Sequence, residues 1–311
     1  MKKAKHTTSG RWKLGFALAF SAAVLWGLLP IALKGLLNEM DPVTITWYRF
    51  LLAALVLAAF VFRKNGVLDF GKFRGTVLIL LLVAGLSLYG NYILFLFGLN
   101  YLTPGVSQIV IQLAPVFMLL GGLIIFGERF SATQWIGLAI LLSGMVLFFN
   151  ERMAELISHF TGYTIGILLI ITAAFIWSFY GLAQKQLLKT FPSEIIMLFI
   201  YFSGIFVLLP GSKPGQLSQL DATQIGLLIF CGLNTLLAYG SFAEALDHWE
   251  ASRISAVLAT TPIITIIAVK IGAAIFPSLI QPEHLNMWSI IGALMVVGGS
   301  MISALYQHRK K

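Results

Sequence analysis

The stretch AAVLWG at residues 22–27 returns as AAFIWS at residues 173–178, and this duplication decides the fold. A lysine follows each tryptophan after eight residues, at Lys34 and Lys185. Further matches keep the same order in both copies: GLN at 98–100 with ALD at 245–247, Pro115 with Pro262, and Gly137 and Gly144 with Gly292 and Gly299. We therefore divide the chain into a first unit at residues 1–150 and a second at residues 151–311.

The composition is that of a membrane protein. Hydrophobic residues make up 59% of the chain and charged residues 11%, against about 45–50% and about 25% in ordinary globular proteins. The charges cluster between apolar runs of about 20 residues, the length a helix needs to cross a hydrocarbon core of about 30 Å. These runs are apolar on all faces, which excludes a porin-like barrel. Ten spans are predicted, at residues 14–36, 44–62, 76–98, 104–126, 132–150, 162–184, 193–210, 223–246, 252–275 and 287–306.

Each copy holds five spans, and five is odd, so the second copy enters the bilayer from the opposite side. The predicted fold class is an all-α membrane protein with ten transmembrane helices in two inverted five-helix repeats. Such repeats are typical of secondary transporters, whose substrate site lies between the halves. The first span follows basic residues, but it is too long for a signal peptide and lacks a small-residue cleavage site, so we expect it to be retained.

Lysine and arginine are unequally distributed between the loops. With the N terminus inside, sixteen of the 21 fall on the inner side and two on the outer side. This bias predicts a multi-pass protein of the cell inner membrane with both termini cytoplasmic. We expect the net charge of +9 to interact with anionic headgroups, so the lipid bilayer is a predicted partner. Nucleic acid is not a predicted partner, because no basic stripe is interleaved with aromatic residues. Lys34, Arg49 and Lys270 are expected to snorkel toward the outer surface.

Several short motifs follow one another in a fixed order: AAVLWG in the first span, WYRF at residues 47–50, Ala114-Pro115 and Gly127-Glu128. With the ten repeated spans, they make the chain resemble the drug/metabolite transporter superfamily, EamA-type branch, from about residue 14 to residue 306. The resemblance implies export or exchange of small metabolites such as amino acids. It also implies a central cavity lined mainly by helices one, three, four, six, eight and nine. An insertion of about eight residues departs from the repeat around residues 276–281.

Aromatic and amide side chains predict a path through the bundle. Trp26 and Trp177 lie near the middle of equivalent spans, where an indole gains nothing from the membrane interface. Other polar residues share helix faces, as Trp177, Tyr180 and Gln184 do. Amides in hydrocarbon need partners, so these residues line the path or form interhelical hydrogen bonds. The candidate path residues are Trp26, Tyr89, Asn91, Tyr92, Gln108, Gln112, Trp177, Tyr180, Gln184, Asn234 and Tyr239.

Prolines and one acid are the candidate moving parts. Pro30, Pro115 and Pro262 lie within spans, where each removes a backbone donor and forms either a hinge or gate or a structural kink. Glu244 lies near the inner end of span eight and is the candidate for proton coupling. Pairing of Glu244 with Lys185 or Arg253 is the alternative, and facilitated exchange is then as well supported as proton antiport.

Other functional classes lack their motifs. The chain has no zinc-protease or nucleophile-elbow motif, so we expect no enzyme, no metal site and no cofactor. A small-molecule substrate is expected, neutral or zwitterionic, such as an amino acid or a nucleoside. Hydrophobic drugs or cations, or a receptor without transport, are the alternatives. Glycines in spans five and ten allow close helix packing, either within one chain or in a homodimer.

Overall fold

The computed structural model describes residues 9–65, 74–127, 131–277 and 280–305, and within them it contains helices and no strand. The α-helices are α1 Trp12–Leu36, α2 Pro42–Asn65, α3 Thr76–Tyr101, α4 Pro104–Val110, α5 Leu113–Phe126, α6 Ala132–Phe148, α7 Met153–Ser158, α8 Gly162–Leu187, α9 Ser193–Leu208, α10 Ala222–His248, α11 Ala251–Leu258, α12 Thr261–Ile275 and α13 Met287–Leu305. Two short 3-10 turns connect α9 to α10. All ten predicted spans are confirmed, two of them as helix pairs, α4 with α5 and α11 with α12.

The outer surface of the bundle is built for lipid. By length and composition, nine spans among the described residues are long and apolar enough to cross a membrane, and α6 is a shorter apolar helix. Large apolar side chains stand outward, and Ile124 is 80% exposed. Water would penalise so much contiguous apolar surface, whereas a bilayer covers it at no cost. The interior combines large buried side chains such as Phe50 and Tyr201 with small ones, including the fully buried Ala22 and Ala23 of the repeated motif.

The two halves interlock. Extensive helix contacts join the first half to the second, among them α1 with α10, α3 with α8, α5 with α8, α2 with α9 and α6 with α13. In the repeat α1 corresponds to α8 and α3 to α10, so the first two of these are the same contact made once from each half. This reciprocal pairing is the arrangement expected of inverted repeats around a pseudo-two-fold axis.

Glycines bring α6 and α13 into backbone contact. A Cβ atom on Gly144 would lie 2.8 Å from the carbonyl oxygen of Gly292, and one on Gly299 would lie 2.5 Å from that of Gly137. Only glycine allows helices to approach so closely. We call these four residues the glycine seam. The sequence allows these glycines to pack either within one chain or in a homodimer, and the structure shows them packed within one chain.

Helix ends follow their local sequence. α6 begins with a capping box in which Ser131 and Gln134 satisfy each other's backbone N–H groups, and Asp221 and Gln224 do the same at the start of α10. Such boxes pair backbone donors that a helix start otherwise leaves free. Gly127 ends α5 with a φ of 61°, a left-handed conformation that favours glycine.

Candidate substrate path

Two spans are broken at equivalent positions, between α4 and α5 and between α11 and α12. Pro115 and Pro262 each lie in the first turn after the break. Neither can donate a backbone hydrogen bond, so the carbonyl four residues earlier needs another donor. In α11 the hydroxyl of Thr261 donates to that carbonyl, on Leu258, at 2.6 Å. The predicted interruptions are present at both prolines, and their service as gates stays a prediction.

Pro30 lies inside α1 without breaking it. Its missing N–H leaves the carbonyl of Trp26 without a helical donor and loosens the turn around it. Side chains of α10, α4 and α12 donate to three successive carbonyls there: Asn234 to Leu25 at 2.6 Å, Gln108 to Trp26 at 2.9 Å and Thr265 to Gly27 at 2.8 Å. We call these three donors the α1 clamp. In this structure Gln108 and Asn234 make interhelical hydrogen bonds, the alternative that the sequence left open for them.

Three more candidate path residues contact neighbouring helices. The Tyr89 hydroxyl donates to the carbonyl of Ile200 in α9 at 2.8 Å. The Asn91 amide donates to the carbonyl of Ala173 in α8 at 2.9 Å, and the Tyr180 hydroxyl lies 3.3 Å from the sulfur of Met197. These contacts hold α3, α8 and α9 together. Whether the same residues also touch substrate stays a prediction.

The remaining aromatic candidates meet in the middle of the bundle. The ring of Trp26 contacts that of Tyr239 edge-on, with centroids 5.2 Å apart, and the Trp177 indole is within hydrogen-bonding reach of the Tyr239 hydroxyl. Tyr92 is within similar reach of Tyr239. We call these four residues the central aromatic cluster. Its two tryptophans come from equivalent positions of the two halves, so the halves meet here around one tyrosine.

Accessible surface remains around this cluster. Trp26, Trp177, Tyr239 and Gln184 are only half-buried, and the ring contact places Trp26 of α1 against Tyr239 of α10. Whether the accessible part of these side chains faces a space for substrate stays a prediction. Gln112 lies in the break between α4 and α5 and is buried.

The sequence predicts that Arg49 snorkels, and the structure corrects this. Arg49 is 3% exposed, and its Nε and Nη2 atoms donate to the hydroxyl of Thr235 in α10 at 3.2 and 3.0 Å. Its guanidinium carbon lies 4.5 Å from the ring centroid of Tyr92. The contacts with α10 and α3 turn the side chain inward, beside the central aromatic cluster. An arginine eight residues into an otherwise apolar helix was the signal in the sequence.

Glu244 lies at the edge of the bundle. Its side chain is 60% exposed, and its carboxylate lies 3.3 Å from Nε2 of His248, one turn further along α10. Arg253 pairs instead with Glu250 at 2.9 Å. The sequence had offered Lys185 or Arg253 as the partner of Glu244, and the partner in the structure is His248.

The bundle has an N-terminal side, where α1 begins, and a Lys34 side, where α1 ends. Lys34 donates to three carbonyls at the end of α3: those of Leu99 at 2.6 Å, Asn100 at 3.0 Å and Leu102 at 3.0 Å. We call this contact the Lys34 latch. A cation at a helix C terminus satisfies free carbonyls and complements the helix dipole.

Glu283 makes a second contact on the Lys34 side and joins the two halves. Its Oε1 accepts the backbone N–H of Gly105 in α4 at 2.7 Å. Its Oε2 is buried without a hydrogen-bond partner among the described residues. Burial raises the pKa of this carboxyl above its ordinary value, although Thr103 and the Gly105 N–H pull the other way.

The N-terminal side is packed differently, since α11 contacts α13 and α1 there. On the Lys34 side, α4 packs against α12 and α1. The corresponding packing of α11 against α5 and α8 is slight or absent in the part of the chain that the structure describes. Lys185, the counterpart of Lys34, is exposed. A cavity of about 430 Å³ opens on this side at the start of α1 and the turn between α10 and α11, and it contains none of the predicted path residues.

A helical bundle with interlocked inverted halves has the architecture of a membrane transporter. The sequence profile of the EamA-like transporter family matches residues 13–150 and again residues 164–305. The chain belongs to this family. The predicted resemblance is thereby confirmed, and the protein is a transporter with many membrane-spanning helices, which is not a class of enzyme.

Relatives extend along almost the whole chain. A protein of Escherichia coli (strain K12) named as an uncharacterized inner membrane transporter, YhbE, is 41% identical over 94% of this chain and 91% of its own. A second E. coli protein, named as a probable amino-acid metabolite efflux pump, is 24% identical over 92% and 93%. A solved crystal structure superposes with a TM-score of 0.63 at 17% identity, covering 93% of this chain and 96% of that one. At that identity the likeness concerns the fold alone.

Proposed function

We propose that the protein is a secondary transporter of the cell inner membrane. It exports or exchanges small neutral or zwitterionic metabolites by alternating access, with both termini in the cytoplasm. The observation that carries this proposal is the central aromatic cluster, where Trp26 and Trp177 from equivalent positions meet around Tyr239. A site made of equivalent residues from two inverted halves can be exposed to either side when one half rocks against the other.

The chemistry around the cluster favours solutes that combine apolar and polar parts. Aromatic faces supply apolar contact, and Gln184, which is within hydrogen-bonding reach of Tyr180, can supply a hydrogen bond. We expect Gln112 to supply another. Amino acids and nucleosides fit this description, and one E. coli relative is named as a probable amino-acid metabolite efflux pump. Export of hydrophobic cations has less support, because Glu244 is exposed at a helix end rather than deep in the bundle.

Flux into proteoliposomes tests this proposal. Purified protein is reconstituted into vesicles loaded with a mixture of amino acids and nucleosides, and uptake of each labelled solute by counterflow is measured. We expect Trp177→Ala to lower counterflow about tenfold, the scale of losing one aromatic contact and its burial, and Trp177→Phe to retain most of it. Trp288→Ala is the control, since Trp288 is 59% exposed at the start of α13. Binding without any flux would instead support a receptor.

Proton coupling through Glu244 is the open part of the mechanism. We propose that exchange does not require this carboxylate, because it lies exposed beside His248 at the end of α10. Glu244→Gln should then retain counterflow of labelled solute. Loss of counterflow in a folded variant would place Glu244 in the site, and loss of proton-driven accumulation alone would make it the coupling group.

Orientation is tested by labelling single cysteines in a Cys231→Ser background. A cysteine at Ser158, in α7, should react with a membrane-impermeant reagent added to intact cells. One at Gly71, which lies outside the described residues, should react only after the cells are opened. The reverse pattern would overturn the proposed orientation.

A further inference from the structure

Arg49 is a buried cation surrounded by neutral groups. Its contacts among the described residues are the hydroxyl of Thr235 and the ring of Tyr92. The buried Cys231 and the half-buried Tyr239 also lie close enough to sense its charge. No carboxylate of the described part of the chain forms an ion pair with it. A buried charge is costly unless an opposite charge pairs with it, so the site is electrostatically incomplete.

The hydrogen bonds of Arg49 do not satisfy the fork of N–H donors on its guanidinium group. A guanidinium carries five N–H donors in one plane. In this structure Nε and Nη2 share a single acceptor, the Thr235 hydroxyl, whose own proton goes to the carbonyl of Cys231 at 2.9 Å. One neutral oxygen serves two charged donors, which is a poor match for a group that prefers two parallel bonds to a carboxylate.

The position of Arg49 puts this fork beside the proposed substrate space. Tyr92 is the member of the central aromatic cluster that contacts Arg49: its ring packs on the guanidinium, and its hydroxyl is within reach of Thr235 and Tyr239. Tyr239 in turn contacts Trp26. A small zwitterion there would meet a cation at one end and aromatic faces at the other. Aromatic faces attract an ammonium group and cover apolar side chains.

We infer that Arg49 binds the carboxylate of the transported solute. The inference rests on the proposed transport function and narrows it: the substrates are amino acids or other small carboxylates with an apolar part, and nucleosides are excluded. Thr235 holds the fork when the site is empty, and the carboxylate replaces it by accepting two N–H bonds. Arg49 is then a binding residue rather than a fixed clamp between α2 and α10.

The test pairs each acid with its amide. Purified protein is screened by thermal shift against the twenty L-amino acids, and the best stabiliser is compared with its carboxamide, which lacks only the negative charge. We expect the acid to bind the parent protein about 100-fold more tightly than the amide, the scale of a bidentate charged hydrogen-bond pair. Arg49→Met should bind both weakly and equally, and Arg49→Lys should restore part of the preference for the acid.

A second variant separates binding from packing. Thr235→Val removes the hydroxyl that competes for the fork, so we expect it to bind the acid at least as tightly as the parent. A clamp without a binding role would instead make Thr235→Val and Arg49→Met lose stability alike, with no change in the ratio of acid to amide. Counterflow of the acid at the parental rate in Arg49→Met, or counterflow of nucleosides by the parent protein, would overturn this inference and leave the proposed transport intact. Absence of flux for every solute would overturn the transport proposal itself.

Discussion

The two halves carry matching residues at equivalent positions and make different contacts on opposite sides of the bundle. On one side Lys34 holds the last carbonyls of α3, and α4 packs against α12. On the other side the equivalent Lys185 is exposed, and packing of α11 against α5 is slight or absent among the described residues. Since the two lysines occupy matching places in the repeat, the difference lies in the conformation rather than in the sequence motif. Under the alternating-access proposal, the structure is the state closed on the Lys34 side, and the opposite state would exchange the two sets of contacts.

The largest expected effect comes from removing the Lys34 latch. Lys34→Met keeps the apolar stem and leaves three carbonyls without their cation. Hydrogen bonds to charged groups contribute about 1.5–3 kcal/mol, and 1.4 kcal/mol is a factor of about ten in an equilibrium. We therefore expect the closed state to lose at least about tenfold in population. The distance between spin labels at Glu39 and Asn100, on the two helix ends, should lengthen.

The exposed Lys270 provides the matched control for this experiment. Lys270→Met removes a lysine from an exposed position in α12 without touching the latch, so the label distance should match that of the parent. An unchanged distance in folded Lys34→Met protein would show that the contact with α3 does not hold this side closed.

The next effect concerns the partner of the latch in the repeat. If Lys185 holds the end of α10 in the opposite state, Lys185→Met should favour the present state and slow counterflow about fivefold, because the opposite state would lose that contact with α10. The spin-label distance on the Lys34 side should stay at its parental value. Lys189→Met serves as the control, since the hydrogen bond of Lys189 among the described residues is to the neighbouring Gln186. Opening of the Lys34 side by Lys185→Met would contradict the symmetry.

A smaller effect tests a second difference between the halves, at Pro30. The equivalent residue in α8 is Gly181, which keeps its N–H, so only α1 needs a clamp. Gln108→Leu should lower the melting temperature by about 1–3 °C, because interhelical hydrogen bonds in membranes average about 0.6 kcal/mol and reach about 1.7 kcal/mol. In a Pro30→Ala background the same change should cost less, since the alanine N–H replaces the lost donor. An equal loss of melting temperature in both backgrounds would contradict the role of the α1 clamp.

The smallest effect is a pH dependence on the closed side. Burial raises the pKa of Glu283, so the folded protein holds its proton more strongly than the unfolded chain does. The protonated form is therefore favourable at low pH, and its contribution is lost as the pH rises through the raised pKa. Glu283→Gln keeps an oxygen for the Gly105 N–H and carries no charge. The variant should melt about 1–2 °C above the parent at pH 8, with the difference shrinking toward pH 5; a constant difference would contradict this.

The spans were predictable from sequence, and the contacts between them were not. Ten apolar runs of membrane length identify helices, and proline positions locate the breaks in α4–α5 and α11–α12. A helix face, however, looks the same whether it meets another helix or a cavity. Gln108 and Gln112 are four residues apart and are both candidate path residues, yet Gln108 donates to α1 and Gln112 lies in a helix break. The distinction depends on Pro30, which lies far from both in the chain.

Arg49 shows the same limit for charge. Its depth in α2 predicts an outward side chain, because snorkelling relieves a charge near a membrane surface. Its actual direction is set by Thr235, 186 residues away in sequence, and by the ring of Tyr92. Neither partner is visible before α2, α3 and α10 are placed side by side.

The glycine seam has a consequence for how this chain meets other molecules. Gly137 faces Gly299, and Gly144 faces Gly292, while the repeat makes Gly137 the counterpart of Gly292 and Gly144 that of Gly299. Each glycine of the first half therefore contacts the residue that corresponds to the other glycine of that half. The same reciprocal pattern defines an isologous interface between identical subunits. The seam has the geometry of a dimer contact between half-length subunits, formed here inside one polypeptide. It is already occupied and is not available to a second copy of the protein.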